Sequence, residues 1–200
     1  VNFWDPRKVW DCWDVPNDSL SLADLARKTF ALISLSKPIR CIEVTNLLLP
    51  EVDLEGPGVE NLQSLTLRRG SLPKTQRSGS IEPVVLVAKP QTDRYSCPVR
   101  TCISYMQRLA PLREDKQFLF VSSTKPHRHI SNSTGKHWRC FSLRKAGISN
   151  KDYAWPAHSY RGAVANYLAN TVKLPINEVM RLGNWGQNST KCFKKHYLRS

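Results

Sequence analysis

The strand-like runs of this chain are few and lie together, and this restricts its fold more than any other feature. Residues 61–67 and 81–87 are β-like runs, and a polar stretch with Gly70 and Gly79 separates them. Such a pattern predicts an antiparallel hairpin, or a small sheet, with a long basic loop. Residues 117–122 form one further short strand or extended segment. Because strands and helices do not alternate, the pattern indicates an α+β fold and not a doubly wound sheet.

Helical patterns occupy most of the remaining chain. Ser21 can cap a helix that carries Asp24 at its third position, and Pro38 ends the apolar stripe that follows. Pro98 suits the first turn of another helix, and Gly147 suits the end of a third. Beyond the helix that starts at Ser21, the predicted helices are 40–48, 97–109, 132–147, 158–170, 175–182 and 188–198.

Basic residues outnumber acidic ones along the whole chain. The sequence has 30 Lys and Arg against 16 Asp and Glu, a formal net charge of +14. An excess of this size favours a polyanionic partner, of which nucleic acid is the commonest. A basic protein that is merely soluble is the alternative that charge alone leaves open.

The cysteine pattern favours a reduced intracellular protein over a disulfide-stapled one. The six cysteines form no CxxC pair. No apolar run is long enough to span a bilayer, and the start carries no signal-peptide pattern. His127, His129, His137 and Cys140 lie close in sequence, but their spacing matches no structural zinc pattern, so we predict no metal site.

A histidine and an arginine at helical spacing are the first candidates for chemistry. His158 and Arg161 open the helix that follows Pro156, and positions i and i+3 share one face. The start of a helix also favours anions. The pair can therefore hold an anion, although an ordinary surface His and Arg would give the same four residues.

The wider order of motifs resembles the tyrosine recombinase family. HSYR at 158–161 is followed by LGNW at 182–185 and then by Tyr197, as in the C-terminal signature of that family. Upstream, Arg40 with Glu43 three residues later resembles its first box. PKTQR at 73–77 resembles its catalytic lysine on a β-turn. The phrases PKTQRSGSIEP, CPVRTCISYM, KPHRHIS and AHSYRGA are most similar to recombinases of eukaryotic mobile elements of the DIRS and Crypton kind.

This resemblance implies roles in DNA strand cleavage. Arg40 and Arg161 would bind the phosphate oxygens, since a guanidinium offers paired donors. Tyr197 would attack phosphorus and form a 3′-phosphotyrosine, a link that keeps the bond energy for religation. Lys74 would protonate the leaving 5′-oxygen, and His158 would assist proton transfer at the tyrosine.

Two further residues complete the set that the resemblance implies. Trp185 stands where many relatives carry histidine, and its indole N–H can hold a phosphate oxygen but cannot shuttle protons. Glu43 would orient Arg40 or His158. The scheme needs no metal, ATP or other cofactor.

Several of these assignments have rivals in the sequence. Lys89 and Arg77 compete with Lys74 as the general acid, and Trp185 is alternatively a core residue. Tyr160 and Tyr167 compete with Tyr197 but are better interpreted as packing residues on the helix of His158.

The interval from Trp185 to Tyr197 is slightly wider, around Lys191 and Cys192, than members of the family usually show. A broken helix in this interval would misplace Tyr197.

Basic side chains near the hairpin loop and in the last helix are candidates for phosphate contacts, with a solvated helix face as the alternative for the latter group. They are Arg68, Arg69, Arg77, Lys191, Lys194, Lys195 and Arg199.

The sequence thus predicts a mainly helical α+β recombinase catalytic domain at residues 21–200. Residues 1–20 are expected to be a linker, or the end of a missing DNA-binding domain. We expect a site-specific recombinase or integrase that is nuclear, or nucleoid-bound in a prokaryote. Its partner would be double-stranded DNA, on which it forms a homotetramer; free protein would be monomeric, with no small-molecule substrate. The alternatives are a domesticated, catalytically decayed DNA-binding domain and a type IB topoisomerase-like enzyme.

Overall fold

The fold is a helical domain with one small sheet. The computed structural model describes residues 3–56, 58–70, 82–114, 117–150 and 154–185, together with Thr190 and Phe193. None of its described helices is long and apolar enough to cross a membrane. The helices are α1 (Arg7–Cys12), α2 (Leu22–Ser36), α3 (Cys41–Thr45), α4 (Pro98–Leu109), α5 (Asn132–Lys145), α6 (Ser159–Asn170) and α7 (Ile176–Leu182). Short 3₁₀ turns occupy Asn17–Ser19, Val59–Asn61 and Gln91–Ser96.

Helix α2 is the central element, and its predicted start is confirmed. The Ser21 hydroxyl accepts a hydrogen bond from the Asp24 backbone N–H, which satisfies one of the free donors of the first turn. All residues from Leu25 to Leu35 except Arg27 are buried, including Lys28. The helix ends before Pro38, and the chain then turns into the much shorter helix α3.

The two predicted β runs pair as an antiparallel sheet, β1 (Ser64–Leu67) and β2 (Val84–Val87). Their pairing joins Leu65 to Leu86 and Leu67 to Val84. These four side chains face the core, while Val85 and Val87 on the opposite face are exposed. The alternation is the period-two pattern of a half-buried sheet.

The third strand-like run forms only isolated bridges. Phe118 pairs with Leu48, and Val121 pairs with His129. The buried guanidinium of Arg113 donates to the carbonyls of Phe118 and Leu119 and holds this segment beside α4. The backbone is therefore satisfied without a third strand in the sheet.

The N-terminal segment packs on the domain through its aromatic residues. Trp4, Val9 and Trp13 are buried, and the indole of Trp13 donates to the Ser142 hydroxyl on α5 at 3.1 Å. The indole of Trp4 donates to the Ser159 hydroxyl on α6 at 2.9 Å. The aromatic-rich start of the chain thus shares a core with α5 and α6.

Two of the predicted C-terminal helices, α6 and α7, follow the predicted order, whereas most of the helix predicted at 188–198 lies outside the described residues. Helix α5 stops before Gly147, whose φ of 67° lies in the left-handed region that glycine adopts without strain. Val179 and Met180 on α7 form a small core with Ala165 on α6 and with Phe193. The five cysteines among the described residues are free. The observed architecture is α+β, mainly helical with one small antiparallel sheet, as the sequence predicted.

Candidate active site

Arg40 is presented at the start of α3 by a glutamate one turn later. Arg40 has an extended backbone conformation (φ −74°, ψ 152°) and occupies the N-cap position of the helix. The Glu43 carboxylate accepts the Arg40 backbone N–H at 2.7 Å through Oε2. The other oxygen of Glu43 lies 3.5 Å from Nη1 of Arg40. Glu43 therefore fixes both the backbone and the side chain of Arg40, and that side chain is about one quarter exposed.

Glu43 has a second cationic partner in Arg69. Nη1 of Arg69 lies 3.1 Å from Oε1 of Glu43, and the Arg69 side chain has no exposed surface. Burial lowers the pKa of Arg69, and the carboxylates of Glu43 and Glu82 act in the opposite direction. The phosphate contact that the sequence suggested for Arg69 does not fit this placement, because its guanidinium is buried against Glu43. Burial of this kind leaves no signal in a local sequence pattern.

Arg69 also reaches two other segments. It donates to the backbone carbonyl of Glu82 at 2.6 Å, just before β2. With the Asn184 amide oriented so that its oxygen faces Arg69, that oxygen accepts from Nη1 at 3.0 Å and from Nη2 at 3.1 Å. Asn184 has a φ of 54°, a left-handed conformation that asparagine tolerates. Arg69 thus connects α3 to the turn that follows α7.

His158 and Arg161 open α6 on one face, as their spacing predicted. His158 is the N-cap residue of the helix and is exposed. Arg161 lies one turn inside the helix and is 8% exposed. The Arg161 guanidinium donates to the Gly183 carbonyl at 2.7 Å. Its Cζ lies 3.9 Å from the centroid of the Trp185 ring, within cation–π range. Trp185 is therefore a platform for Arg161, and it also packs edge-on against Phe193, with 4.7 Å between ring centroids.

Arg40, His158 and Arg161 line one open cleft of about 520 Å³. Arg40 is 118 positions from His158 in the sequence, yet both face a common volume. Two guanidiniums and an imidazole around such a volume suit a phosphate, since guanidinium donors pair with phosphate oxygens. The remaining wall includes Phe3, Ile42, Asn132, Lys136, Arg139 and Trp155.

Sequence reasoning missed these additional wall residues. Lys136 is exposed on α5, four residues after the start of that helix, and lies in no motif. Phe3 comes from the far end of the chain and packs on Gly162, where an added Cβ would collide with the Phe3 ring. A contact over this sequence distance leaves no local trace, although the apolar and aromatic content of the first residues was a hint.

Several predicted site residues lie outside the described part of the chain. They are Lys74, Tyr197, Arg77, Lys191, Lys194, Lys195 and Arg199. Their roles remain predictions. Of the described candidates, Arg68 is exposed beside β1, where a phosphate can reach it.

The described rivals of these residues are engaged elsewhere. Lys89 donates to the Ser96 hydroxyl at 3.1 Å and lies 5.2 Å from the centroid of the Trp10 ring. Tyr160 is fully buried, and its hydroxyl donates to the Arg139 carbonyl at 3.4 Å. His129 is stacked on Phe118 and bonds the Thr45 carbonyl. Among the residues that the structure describes, no group of three or more His, Cys, Asp or Glu side chains can hold a metal ion.

Comparison with known proteins bears on the fold. No protein-family model matches the chain, and no curated protein matches it by sequence. A crystal structure of XerA recombinase is similar, with a TM-score of 0.57 and 15% sequence identity. The similarity covers 98% of this chain and 64% of the XerA chain, so this chain spans less than two thirds of that protein's length. The chain therefore shares the fold of XerA recombinase.

Proposed function

We propose that the cleft binds a DNA phosphodiester and that the protein breaks and rejoins DNA. The observation that carries this proposal is the joint lining of one cleft by Arg40, His158 and Arg161. The fold similarity to XerA recombinase supports it. The motifs that contain these residues support it as well, since they resemble those of tyrosine recombinases. A net charge of +14 supports a polyanionic partner.

In the proposed reaction the two arginines neutralise charge on the phosphate. Both guanidiniums would donate to the nonbridging oxygens, where negative charge is concentrated in the transition state. Arg161 would be aimed by Trp185 and the Gly183 carbonyl, and Arg40 by Glu43.

Tyr197 is proposed as the nucleophile. Its phenolic oxygen would attack phosphorus and displace the 5′-oxygen, so that one P–O bond forms as another breaks. His158 would take the phenolic proton, and Lys74 would give a proton to the leaving oxygen. The free 5′-hydroxyl of another strand would then attack the same phosphorus and displace the Tyr197 oxygen. This second step restores a phosphodiester and requires no ATP.

The finer parts of the proposal concern the biological setting. The motif phrases support a recombinase of a eukaryotic mobile element, acting in the nucleus on double-stranded DNA. Strand exchange would take place in a homotetramer, with free protein as a monomer. Because phosphate contacts release counterions, DNA affinity should fall steeply with salt concentration.

A trapped covalent adduct tests the proposed function. The protein would be incubated with a duplex from the terminus of its own element, nicked close to the cleavage site so that the cleaved fragment diffuses away. We expect a protein–DNA adduct that resists denaturation and is lost in Tyr197→Phe. Tyr160→Phe and Tyr167→Phe are the matched controls, since each removes one phenolic oxygen from α6, and both should retain the adduct.

The other outcomes separate the alternatives. Absence of an adduct with the wild-type protein, together with salt-sensitive DNA binding, would favour a decayed DNA-binding domain. Relaxation of any supercoiled plasmid without site preference would favour a topoisomerase. An adduct that survives Tyr197→Phe would overturn the choice of nucleophile.

A further inference from the structure

Arg139 is a fully buried cation at the wall of the cleft. It lies on α5 and has no exposed surface. None of the described carboxylates forms an ion pair with it. Burial lowers the pKa of Arg139, which reflects the cost of taking a charge out of water. A buried charge without an ion-pair partner is expensive, so its retention calls for a specific reason.

The hydrogen bonds of Arg139 join the segments that carry the candidate catalytic residues. Its Nη2 donates to the Ile39 carbonyl at 3.2 Å, one residue before Arg40. Its Nη1 donates to the Ala157 carbonyl at 3.4 Å, one residue before His158. One planar guanidinium therefore holds the backbone at the start of α3 and at the start of α6.

Two further contacts fix the guanidinium itself. Its Nε donates to the Ser34 hydroxyl on α2 at 3.1 Å. Its Cζ lies 5.1 Å from the centroid of the Tyr160 ring and 5.9 Å from that of Phe30. The side chain is thus locked between α2 and α6, and its position leaves little freedom to the two carbonyls it binds.

We propose that Arg139 is a positioning residue that sets the separation between Arg40 and His158 and so shapes the phosphate site. This inference rests on the proposed function for its effect on DNA cleavage. It extends that function because Arg139 lies in no recombinase motif and acts through the backbone. Its positive charge, close to the cleft, would add to the attraction for a bound anion.

The informative variant is Arg139→Lys. Lysine keeps the charge, but its single ammonium cannot reproduce the planar, three-way donation to Ile39, Ala157 and Ser34. The matched control is Arg113→Lys. Arg113 is a buried arginine that also donates to two backbone carbonyls, and it does not line the cleft.

Three quantities would be measured on each variant: the single-turnover rate of adduct formation at saturating DNA, the DNA dissociation constant, and the rise in melting temperature caused by inorganic phosphate against chloride at equal ionic strength. For Arg139→Lys we expect the rate to fall at least tenfold. The DNA dissociation constant should stay within about threefold of wild type, because most of the predicted phosphate contacts involve residues that do not line the cleft. The phosphate-induced rise in melting temperature should be reduced, since it depends on anion affinity. Arg113→Lys should match wild type in all three once its stability is taken into account.

The phosphate measurement separates this inference from the proposed function. A phosphate effect lost in Arg139→Lys, together with a wild type that forms no adduct, would overturn the recombinase activity and leave the positioning role standing. Wild-type rate and phosphate response in Arg139→Lys would overturn the positioning role. Equal losses in Arg139→Lys and Arg113→Lys would also overturn it, because a merely structural role predicts them. If Arg139→Lys does not fold, Ser34→Ala tests the same geometry, and an unchanged rate in that variant would contradict the inference.

Discussion

The guanidinium of Arg161 lies over the ring of Trp185, with 3.9 Å between Cζ and the ring centroid. The same guanidinium donates to the Gly183 carbonyl, two residues before that tryptophan. The turn after α7 therefore supports the arginine from two directions. This relationship gives Trp185 a role that works through Arg161 and depends on the aromatic face of its side chain.

Two replacements of Trp185 should distinguish the contribution of its aromatic ring from that of its apolar volume. Trp185→Phe retains a ring for Arg161, whereas Trp185→Leu retains apolar volume without a ring. A partly desolvated cation–π contact contributes about 1–2 kcal/mol. We therefore expect Trp185→Leu to slow adduct formation by about tenfold and Trp185→Phe by about threefold or less. Equal rates for the two variants would contradict the platform role.

Glu43 should be one of the most sensitive residues for stability. Glu43→Gln leaves the Arg69 guanidinium buried without its counter-charge, and breaking a buried pair in this way costs about 3–5 kcal/mol. The free energy of unfolding would be measured by equilibrium urea denaturation. Glu178→Gln is the control, because the exposed pair of Glu178 with Arg181 should contribute nothing measurable.

The coupling between Glu43 and Arg69 can be measured by a double-mutant cycle. Glu43→Gln and Arg69→Met each remove one partner, and the double variant removes the whole buried pair. We expect the double variant to lose less stability than the sum of the single variants, with a coupling of about 1–3 kcal/mol. Strict additivity would show that the two residues do not interact in solution.

The contact between Trp4 and Ser159 should make the start of the chain a part of the folded domain. The indole N–H bonds the Ser159 hydroxyl, and the ring packs edge-on against Tyr160 at 4.9 Å between centroids. Trp4→Phe should cost about 1 kcal/mol, the usual value of one hydrogen bond. Trp4→Ala should cost about 3–5 kcal/mol, because it also leaves a cavity. Thermal unfolding would report both changes, and a Trp4→Ala protein as stable as wild type would contradict this packing.

Lys28 should give the folded protein a distinctive alkaline response. Burial lowers the pKa of Lys28 to about 8 from its usual 10.5, although its ammonium donates to the Val15 carbonyl at 2.6 Å. A depressed lysine pKa means that the unfolded chain binds more protons between pH 8 and 10.5, so this group opposes folding below pH 8. As the pH rises through this window, the contribution of Lys28 to the free energy of unfolding becomes less unfavourable by an amount on the order of 3 kcal/mol.

The comparison of Lys28→Met with wild type isolates this effect from other alkaline titrations. The stability advantage of Lys28→Met over wild type, measured as the free energy of unfolding, should be largest at pH 7. It should shrink as the pH rises from 8 to 10.5. Urea denaturation at a series of pH values measures it. A difference that does not change with pH would contradict the lowered pKa.

Local signals in the sequence were sufficient for most of the fold. The Ser21 cap, the break at Pro38 and the two alternating β runs each depend on neighbouring residues, and each appears where the sequence predicted it. The segment 117–122, predicted as a short strand or an extended segment, forms only isolated bridges, and the Arg113 side chain satisfies two of its carbonyls. Length and apolar content alone cannot reveal that kind of partner.

The roles of the buried arginines in the site could not be predicted from the sequence. The i, i+3 spacing indicated that His158 and Arg161 share a site, and the resemblance to tyrosine recombinases implied that Arg40 joins them in one cleft. Arg69 and Arg139 have the same side chain as exposed DNA-contacting arginines, and only tertiary packing buries them. The pairing of Arg69 with Glu43 spans 26 residues, and the bond from Arg139 to Ile39 spans 100.

Mapping of the covalent link tests the central claim most directly. The adduct formed on the nicked substrate would be digested with nuclease and protease, and the peptide that carries the nucleotide would be sequenced by mass spectrometry. We expect a single modified peptide with the nucleotide on Tyr197, linked through a 3′-phosphate, and a yield that falls at least a hundredfold in Arg161→Ala. A nucleotide on any other residue, or an undiminished yield in Arg161→Ala, would contradict the claim that this cleft performs the reaction.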